Sequence, residues 1–152
     1  MDKGFLVEQL GARMREAVQN SHRAASEARA DSRSGAARAV NLARGQTQRE
    51  LSARAALDAL ELFRPRPVSP RGSIGMGAVV EVELEGGEKG QTLFLAPVGA
   101  GEELEGPGGD GIFQVVTPAS PFGRAVMGKR VGDVIEVWLR GELEEWKITY
   151  AE

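Results

Sequence analysis

Several residue types that carry enzyme and metal chemistry are absent or scarce in this sequence of 152 residues. There is no cysteine, so disulfides and thiolate metal sites are excluded. The only histidine is His22, which excludes a cluster of histidine ligands. Aromatic residues make up 5% of the chain, so we expect a core built mostly from Val, Leu, Ile and Ala. These absences favour a binding or regulatory protein over a metalloenzyme.

Long apolar runs are missing as well. No run approaches the roughly 18 residues that a membrane span needs, and the N-terminal residues lack the apolar stretch of a secretory signal. We therefore expect a cytoplasmic protein with no membrane partner.

Charge divides the chain into two halves. Residues 1–67 contain 12 Lys or Arg and 8 Asp or Glu, a net charge of +4, whereas residues 68–152 contain 7 and 14, a net charge of −7. This asymmetry predicts two units that face different surroundings.

The first half predicts a helical hairpin over residues 1–64. A stretch from about Phe5 to Arg29 has no proline and is rich in good helix formers. Its apolar and small residues follow the 3-4 spacing of a coiled-coil seam. The predicted seam consists of Val7, Leu10, Met14, Ala17, Ser21, Ala24 and Ala28.

A second helix is predicted from about Ala36 to Phe63, after a break rich in serine and glycine. We expect it to pack antiparallel to the first, because the connection is only a few residues long. Its predicted seam consists of Ala36, Val40, Ala43, Thr47 and Leu51, followed by a drift in phase to Ala53, Leu57 and Leu60.

The second half predicts a small sheet over residues 76–152, after a proline-rich linker at 65–75. Alternating apolar and polar residues predict strands at about 80–84, 92–96, 112–116, 134–139 and 143–150. We expect Trp146, Ile148 and Tyr150 to share one face, and we interpret 99–111 as a polar loop outside the core. The predicted fold class is α+β.

The most specific stretch runs from Ser120 to Asp133 and reads S-P-x-G-x-A-x-x-G-K-x-x-G-D. Ser120 and Pro121 are suited to the N-cap and the first position of a short helix, and Gly128 is suited to its left-handed end. This motif and the order of the two halves resemble the Gre-type transcription elongation factors, whose C-terminal domain follows an N-terminal coiled coil.

The resemblance implies a fold, a partner and a docking site. The fold is an FKBP-like antiparallel sheet with one short helix, and the partner is bacterial RNA polymerase. In the family the C-terminal domain docks beside the secondary channel through the loop with the S-P motif, which nominates Ser120, Pro121 and Phe122 here. In the cleavage-stimulating members of the family, the coiled coil enters this channel.

The tip of the hairpin departs from the pattern of the cleavage-stimulating members. Their tip carries an acidic pair that helps to hold a catalytic Mg²⁺ of the polymerase. Here Asp31 falls on the family's Asp, but Ser34 stands where the family has Glu, and Arg33 and Arg38 lie nearby. Glu27, one turn before Asp31, is a weak candidate for a second ligand. We expect weak or absent stimulation of transcript cleavage.

These considerations predict a regulator that is not an enzyme, is monomeric, and needs no cofactor of its own beyond indirect contact with the polymerase's Mg²⁺. The tip arginines are suited to phosphates of nucleic acid or nucleotides in the channel, or else form a solvated helix face. Two alternatives stay open: an FKBP-type peptidyl-prolyl isomerase or chaperone, and a regulator of the nucleoside diphosphate kinase type.

Overall fold

The computed structural model describes residues 1–33 and 35–152, which form two compact units. One unit is Gln9–Leu62, and the other combines Met1–Glu8 with Phe63–Glu152. The expected fold class, α+β with a helical hairpin and a small sheet, is confirmed. Within the described residues, no helix is long and apolar enough to cross a membrane.

The hairpin consists of α1, Lys3–Ser32, and α2, Ala37–Leu62. The turn after α1 ends at Gly35, which has φ 77° and donates its N–H to the carbonyl of Ser32 at 3.0 Å. All seven residues of the predicted α1 seam are buried or half-buried, but the prediction missed Leu6 and Ala25, which are 0% exposed, whereas their predicted neighbours Val7 and Ala24 are only half-buried.

The predicted seam of α2 is wrong at two positions. Leu51 is 57% exposed, whereas its neighbour Glu50 is only 8% exposed. Ala36 is exposed and precedes the first residue of α2. The helix keeps a regular 3-4-3-4-3 spacing of inward positions and so needs no drift in phase: Ala43, Gln46, Glu50, Ala53, Leu57 and Leu60.

The sheet has six strands in the order β3-β4-β2-β1-β6-β5. Their bounds are β1 Val79–Leu84, β2 Gly90–Leu95, β3 Glu103–Glu105, β4 Ile112–Val116, β5 Val134–Leu139 and β6 Glu142–Ala151. All neighbouring pairs are antiparallel except β2 and β4, which are parallel. The sheet is therefore mixed, which corrects the expectation of an antiparallel sheet.

The segment 99–111, expected to be a loop outside the core, contributes strand β3. Leu104 lies between Glu103 and Glu105 and is 1% exposed, while both glutamates face solvent. Three residues of alternation are enough to pair with β4. The extra strand lies between β2 and β4 in the chain, which lets those two strands run parallel.

A bulge changes the facing of Tyr150. Glu81 pairs with Tyr150 but Val82 pairs with Ile148, so Thr149 is the extra residue on β6. Trp146 and Ile148 are buried as expected, whereas Tyr150 is 42% exposed. The expectation that all three share one face is wrong, because one inserted residue reverses the alternation beyond it.

One face of the sheet carries the main core. Inward residues of five strands pack with helix α3, Pro121–Val126, which contributes Phe122 and Val126. The strand residues in this core include Val80, Val82, Leu93, Leu95, Val116, Ile135, Val137, Trp146 and Ile148. This core fixes where α3 and the turn before it are presented.

Candidate interaction surfaces

The turn that starts α3 is held by one serine hydroxyl. Ser120 is the N-cap, and its Oγ accepts hydrogen bonds from the backbone N–H of Gly123 at 3.3 Å and of Thr117 at 3.0 Å. The same hydroxyl donates to the carbonyl of Thr117 at 2.8 Å. Pro121 occupies the first helical position, where its missing N–H costs nothing. The predicted cap is confirmed, and we call Thr117–Gly123 the docking turn.

Phe122 connects the docking turn to the core. Its ring meets that of Trp146 edge to face, with centroids 5.2 Å apart and an angle of 78° between the planes. The two side chains are 5% and 2% exposed. The Trp146 indole N–H donates to Glu144 Oε2 at 3.0 Å, so the buried ring also has a polar partner.

Pro121 lies on the rim of two depressions. The larger, a cleft of about 520 Å³, extends across the sheet from Ser120 and Phe122 to Arg140 and Lys89. The smaller is a groove of about 280 Å³ between α3 and β5, and we call it the Trp138 groove. It is lined by Pro121, Arg124, Ala125, Glu136 and Trp138.

The three nominated docking residues differ in what they expose. Pro121 faces solvent, Ser120 is half-buried and Phe122 is buried. Ser120 and Phe122 therefore shape and anchor the turn, and Pro121 is the member whose side chain is accessible from solvent. Their role in binding stays a prediction.

The nominated tip residues lie at the end of the hairpin unit. Glu27 and Asp31 are exposed in α1, Arg33 is exposed in the turn that follows it, and Arg38 is exposed in the first turn of α2. Ser34 lies outside the described residues. Among residues 1–33 and 35–152, no group of three or more His, Cys, Asp or Glu side chains is placed to hold a metal ion.

A polar layer crosses the hairpin near its middle. Glu50 Oε1 lies 2.7 Å from His22 Nδ1 on α1 and accepts from Arg54 Nη2 at 3.0 Å. Arg29 Nη1 lies 3.7 Å from Glu50 Oε2 and donates to Thr47 Oγ1 at 3.3 Å. Hydrogen bonds from His22 and then Arg54 lower the pKa of the Glu50 carboxyl, and together they outweigh its desolvation.

Glu50→Gln is expected to weaken the hairpin more at neutral pH than at acidic pH. A carboxyl whose pKa is lowered in the folded state stabilises that state above its unfolded pKa of about 4.3. The gain is lost as pH falls through the lowered folded value. Helical circular dichroism during urea unfolding at pH 7 and pH 3 measures this. A wild-type advantage that is equal at both pH values would contradict the assignment to Glu50 ionisation.

Sequence reasoning missed two of these features. Glu50 was not predicted as a seam residue of α2, because the adjacent Leu51 fits the apolar pattern better. The Trp138 groove left a signal in the alternation of β5, since Trp138 falls on the face opposite Ile135 and Val137. A tryptophan on that outward face was not interpreted as a binding feature.

Together, the fold and the docking turn define a class of protein: a helical hairpin joined to a small α+β domain that presents a capped Ser-Pro turn. Residues 69–152 match the family model described as transcription elongation factor, GreA/GreB, C-term. The match covers more than half of the chain, so the chain belongs to the GreA/GreB family of transcription elongation factors. The resemblance inferred from the S-P motif is thereby confirmed.

Similar solved structures include GreA factor homolog 1 (Gfh1) of Thermus thermophilus, 23% identical over 96% of this chain and 92% of that one, with a TM-score of 0.41. Gfh1 of Thermus aquaticus is 18% identical over 93% and 92%, with a TM-score of 0.42. The factor GreA/GreB from Nitrosomonas europaea is 22% identical over 64% and 74%, with a TM-score of 0.41. No curated protein sequence matches the chain.

Proposed function

We propose that this protein binds bacterial RNA polymerase in the cytoplasm and regulates elongation by inserting its hairpin into the secondary channel, with weak or no stimulation of transcript cleavage. The observation that carries the proposal is membership of the GreA/GreB family combined with a tip that is short of carboxylates. Family membership supports RNA polymerase as the partner. The shortage of carboxylates at the tip supports a modulator that does not stimulate transcript cleavage.

The charge of the tip supports the second part. Divalent metals such as Mg²⁺ prefer several hard oxygen ligands, but Asp31 is followed closely by Arg33 and Arg38. Glu27 is the nearest further carboxylate along α1, and Arg29 lies between it and Asp31. This mixture does not fit a Mg²⁺ site. Guanidinium groups instead favour contact with nucleotide or RNA phosphates.

The lengths of the helices are consistent with a hairpin that reaches into a channel. At about 1.5 Å per residue, the 30 residues of α1 span about 45 Å and the 26 of α2 about 39 Å. The same lengths disfavour the alternative as a regulator of nucleoside diphosphate kinase, because that group has a much shorter hairpin.

The isomerase alternative has less support. An isomerase pocket of this kind needs aromatic side chains that a peptide proline can touch. Phe122 and Trp146 pack on each other and are almost completely buried, Phe94 is 0% exposed, and Trp138 lies in a separate groove. A peptide isomerisation assay discriminates the two functions: a rate above background that is lost in Trp138→Ala would favour the isomerase.

Binding and cleavage are tested separately. The chain has no cysteine, so Arg71→Cys in the exposed turn at 70–72 gives one site for a fluorophore. Anisotropy titration with cognate core polymerase is expected to show saturable binding. At saturating protein, a backtracked complex is expected to cleave its RNA at the unassisted rate. Absence of binding would overturn the proposal, and accelerated cleavage would overturn its second part.

A further inference from the structure

The larger of the two depressions has the size of a small-molecule site, and we call it the sheet cleft. Its volume is about 520 Å³, within the range of about 300–1,000 Å³ that is typical of ligand pockets. It lies on the face of the sheet that carries the main core, and Val116, Phe122 and Trp146 are among its lining residues. Its polar residues therefore determine which molecules it can hold.

One buried acceptor in the lining of the sheet cleft has no hydrogen-bond partner. The Oε1 atom of Gln91 is buried, and among residues 1–33 and 35–152 no group donates a hydrogen bond to it. An unpaired buried acceptor is costly and is rare in native proteins. Gln114 on β4 lines the same cleft, so the lining contains two side-chain amides. A bound molecule with an N–H or NH₂ group would satisfy Gln91.

The turn between β5 and β6 holds an arginine in an unfavourable backbone conformation. Leu139 pairs with Glu142, so Arg140 and Gly141 form a two-residue loop, in which φ is 52° and 82°. Such loops favour Asn or Gly at both positions. Among the described residues, Arg140 is the only non-glycine with a positive φ. Strain of this kind is concentrated at functional sites, and Arg140 lines the sheet cleft.

Two cations in the cleft lack a carboxylate partner, although their unit is acidic. Residues 68–152 carry a net charge of −7, yet neither Lys89 nor Arg140 forms an ion pair with any residue that the structure describes. The only acidic residue in the described lining is Glu144, which accepts the indole N–H of Trp146 at 3.0 Å. An anionic group in the cleft would be attracted by both cations.

We propose that the sheet cleft binds a free mononucleotide, with its phosphate on Arg140 and Lys89 and its base edge on Gln91. A phosphate monoester carries close to two negative charges at neutral pH, which matches the two cations, whereas a carboxylate carries one. Glutamine amides pair with the donors and acceptors of base edges. The net negative charge of the unit disfavours a longer nucleic acid, which needs many cationic contacts. This inference goes beyond the proposed function and does not depend on polymerase binding.

Calorimetric titration of the free full chain at low ionic strength tests the site. The probes are two pairs of monophosphates, those of cytidine and uridine and those of adenosine and inosine. The first member of each pair carries an exocyclic amine where the second carries a carbonyl oxygen. Because Gln91 Oε1 can only accept, we expect saturable binding, with the amine-bearing member of the preferred pair bound about tenfold more tightly. We expect inorganic phosphate to bind more weakly than that nucleotide.

Two variants and a control separate ligand binding from folding, which is measured by urea unfolding. Arg140→Asn introduces a residue that tolerates positive φ, so we expect equal or higher stability. Loss of the charged hydrogen bonds is expected to weaken nucleotide binding at least about tenfold. Gln91→Leu removes the unpaired acceptor, so it is expected to keep the stability and to lose the preference for the amine. The control Lys147→Gln removes a charge from the opposite face of β6 and is expected to leave binding unchanged.

The inference would be overturned if none of the four nucleotides showed saturable binding. Inorganic phosphate that binds as tightly as the nucleotides would also overturn it, because the cleft would then hold an adventitious ion only. If both members of each pair bound equally, the contact assigned to Gln91 would be wrong. An Arg140→Asn variant with wild-type affinity would show that the nucleotide binds outside the cleft. No polymerase is present in these titrations, so their failure leaves the proposed function standing.

Discussion

Replacing Gly123 by alanine is expected to destabilise the C-terminal unit by about 3 kcal/mol or more and to abolish polymerase binding. A Cβ atom at this position would lie 1.8 Å from the carbonyl oxygen of Thr117 and 2.9 Å from Ser120 Oγ. Both atoms belong to the hydrogen bonds that hold the docking turn. Backbone must move to admit the methyl group, and the cap at Ser120 is then lost.

Gly75→Ala is the matched control for this prediction. It lies in the same unit, and an added Cβ there meets nothing within 4 Å. Its free energy of unfolding is expected to stay within about 0.5 kcal/mol of the wild type. Urea unfolding of both variants measures the difference. A Gly123 variant as stable as the control would contradict the tight approach of the turn to residue 123.

Trp146→Ala is expected to cost about 3–5 kcal/mol of unfolding free energy. The side chain is 2% exposed, packs edge to face on Phe122 and belongs to the main core. Its removal leaves a cavity beneath the docking turn, so polymerase binding should fall together with stability. A loss of this size approaches the total stability of a typical domain, about 5–15 kcal/mol.

The other tryptophan provides the comparison. Trp138→Ala removes the same side chain from an exposed site, so its effect on stability is expected to be within about 0.5 kcal/mol. Far-ultraviolet circular dichroism is the suitable readout for both, because each substitution removes a fluorophore. If the two variants lost stability equally, the assignment of Trp146 to the core and Trp138 to the surface would be wrong.

The elements with strong periodicity were predictable from the sequence. The helical character of α1 and the alternation of β5 follow from spacing alone. The 3-4 spacing in α1 extends over enough residues to exclude a strand, and the two-residue alternation in β5 extends over enough residues to exclude a helix. The capped turn at Ser120 was predictable because serine is a preferred N-cap, where its hydroxyl accepts a hydrogen bond from a free backbone N–H, and proline is a preferred first residue of a helix.

The parts that were missed depend on interactions between distant residues. The buried Glu50 has two of its partners, His22 and Arg29, on α1, and no pattern within α2 reveals partners on α1. The bulge at Thr149 depends on the register with β1, which also places the Thr149 hydroxyl 3.3 Å from the carbonyl of Glu81. Strand β3 is only three residues long, so it could not be predicted without its pairing to β4.

The candidate site was predictable in part for the same reason. The motif located the docking turn at Ser120, Pro121 and Phe122, but not the groove beside it. The groove forms where α3 meets β5, so its residues come from two segments that the sequence does not connect. Only the folded structure shows that Arg124 and Trp138 line the same groove.

Occupation of the secondary channel is tested by competition with a cleavage factor. A backtracked elongation complex of the cognate polymerase is supplied with a fixed amount of an authentic cleavage factor, and this protein is titrated in. We expect RNA cleavage to fall in proportion to added protein, toward the unassisted rate, and we expect Gly123→Ala not to compete. Cleavage that stays constant while the wild-type protein is in large excess would contradict occupation of the channel.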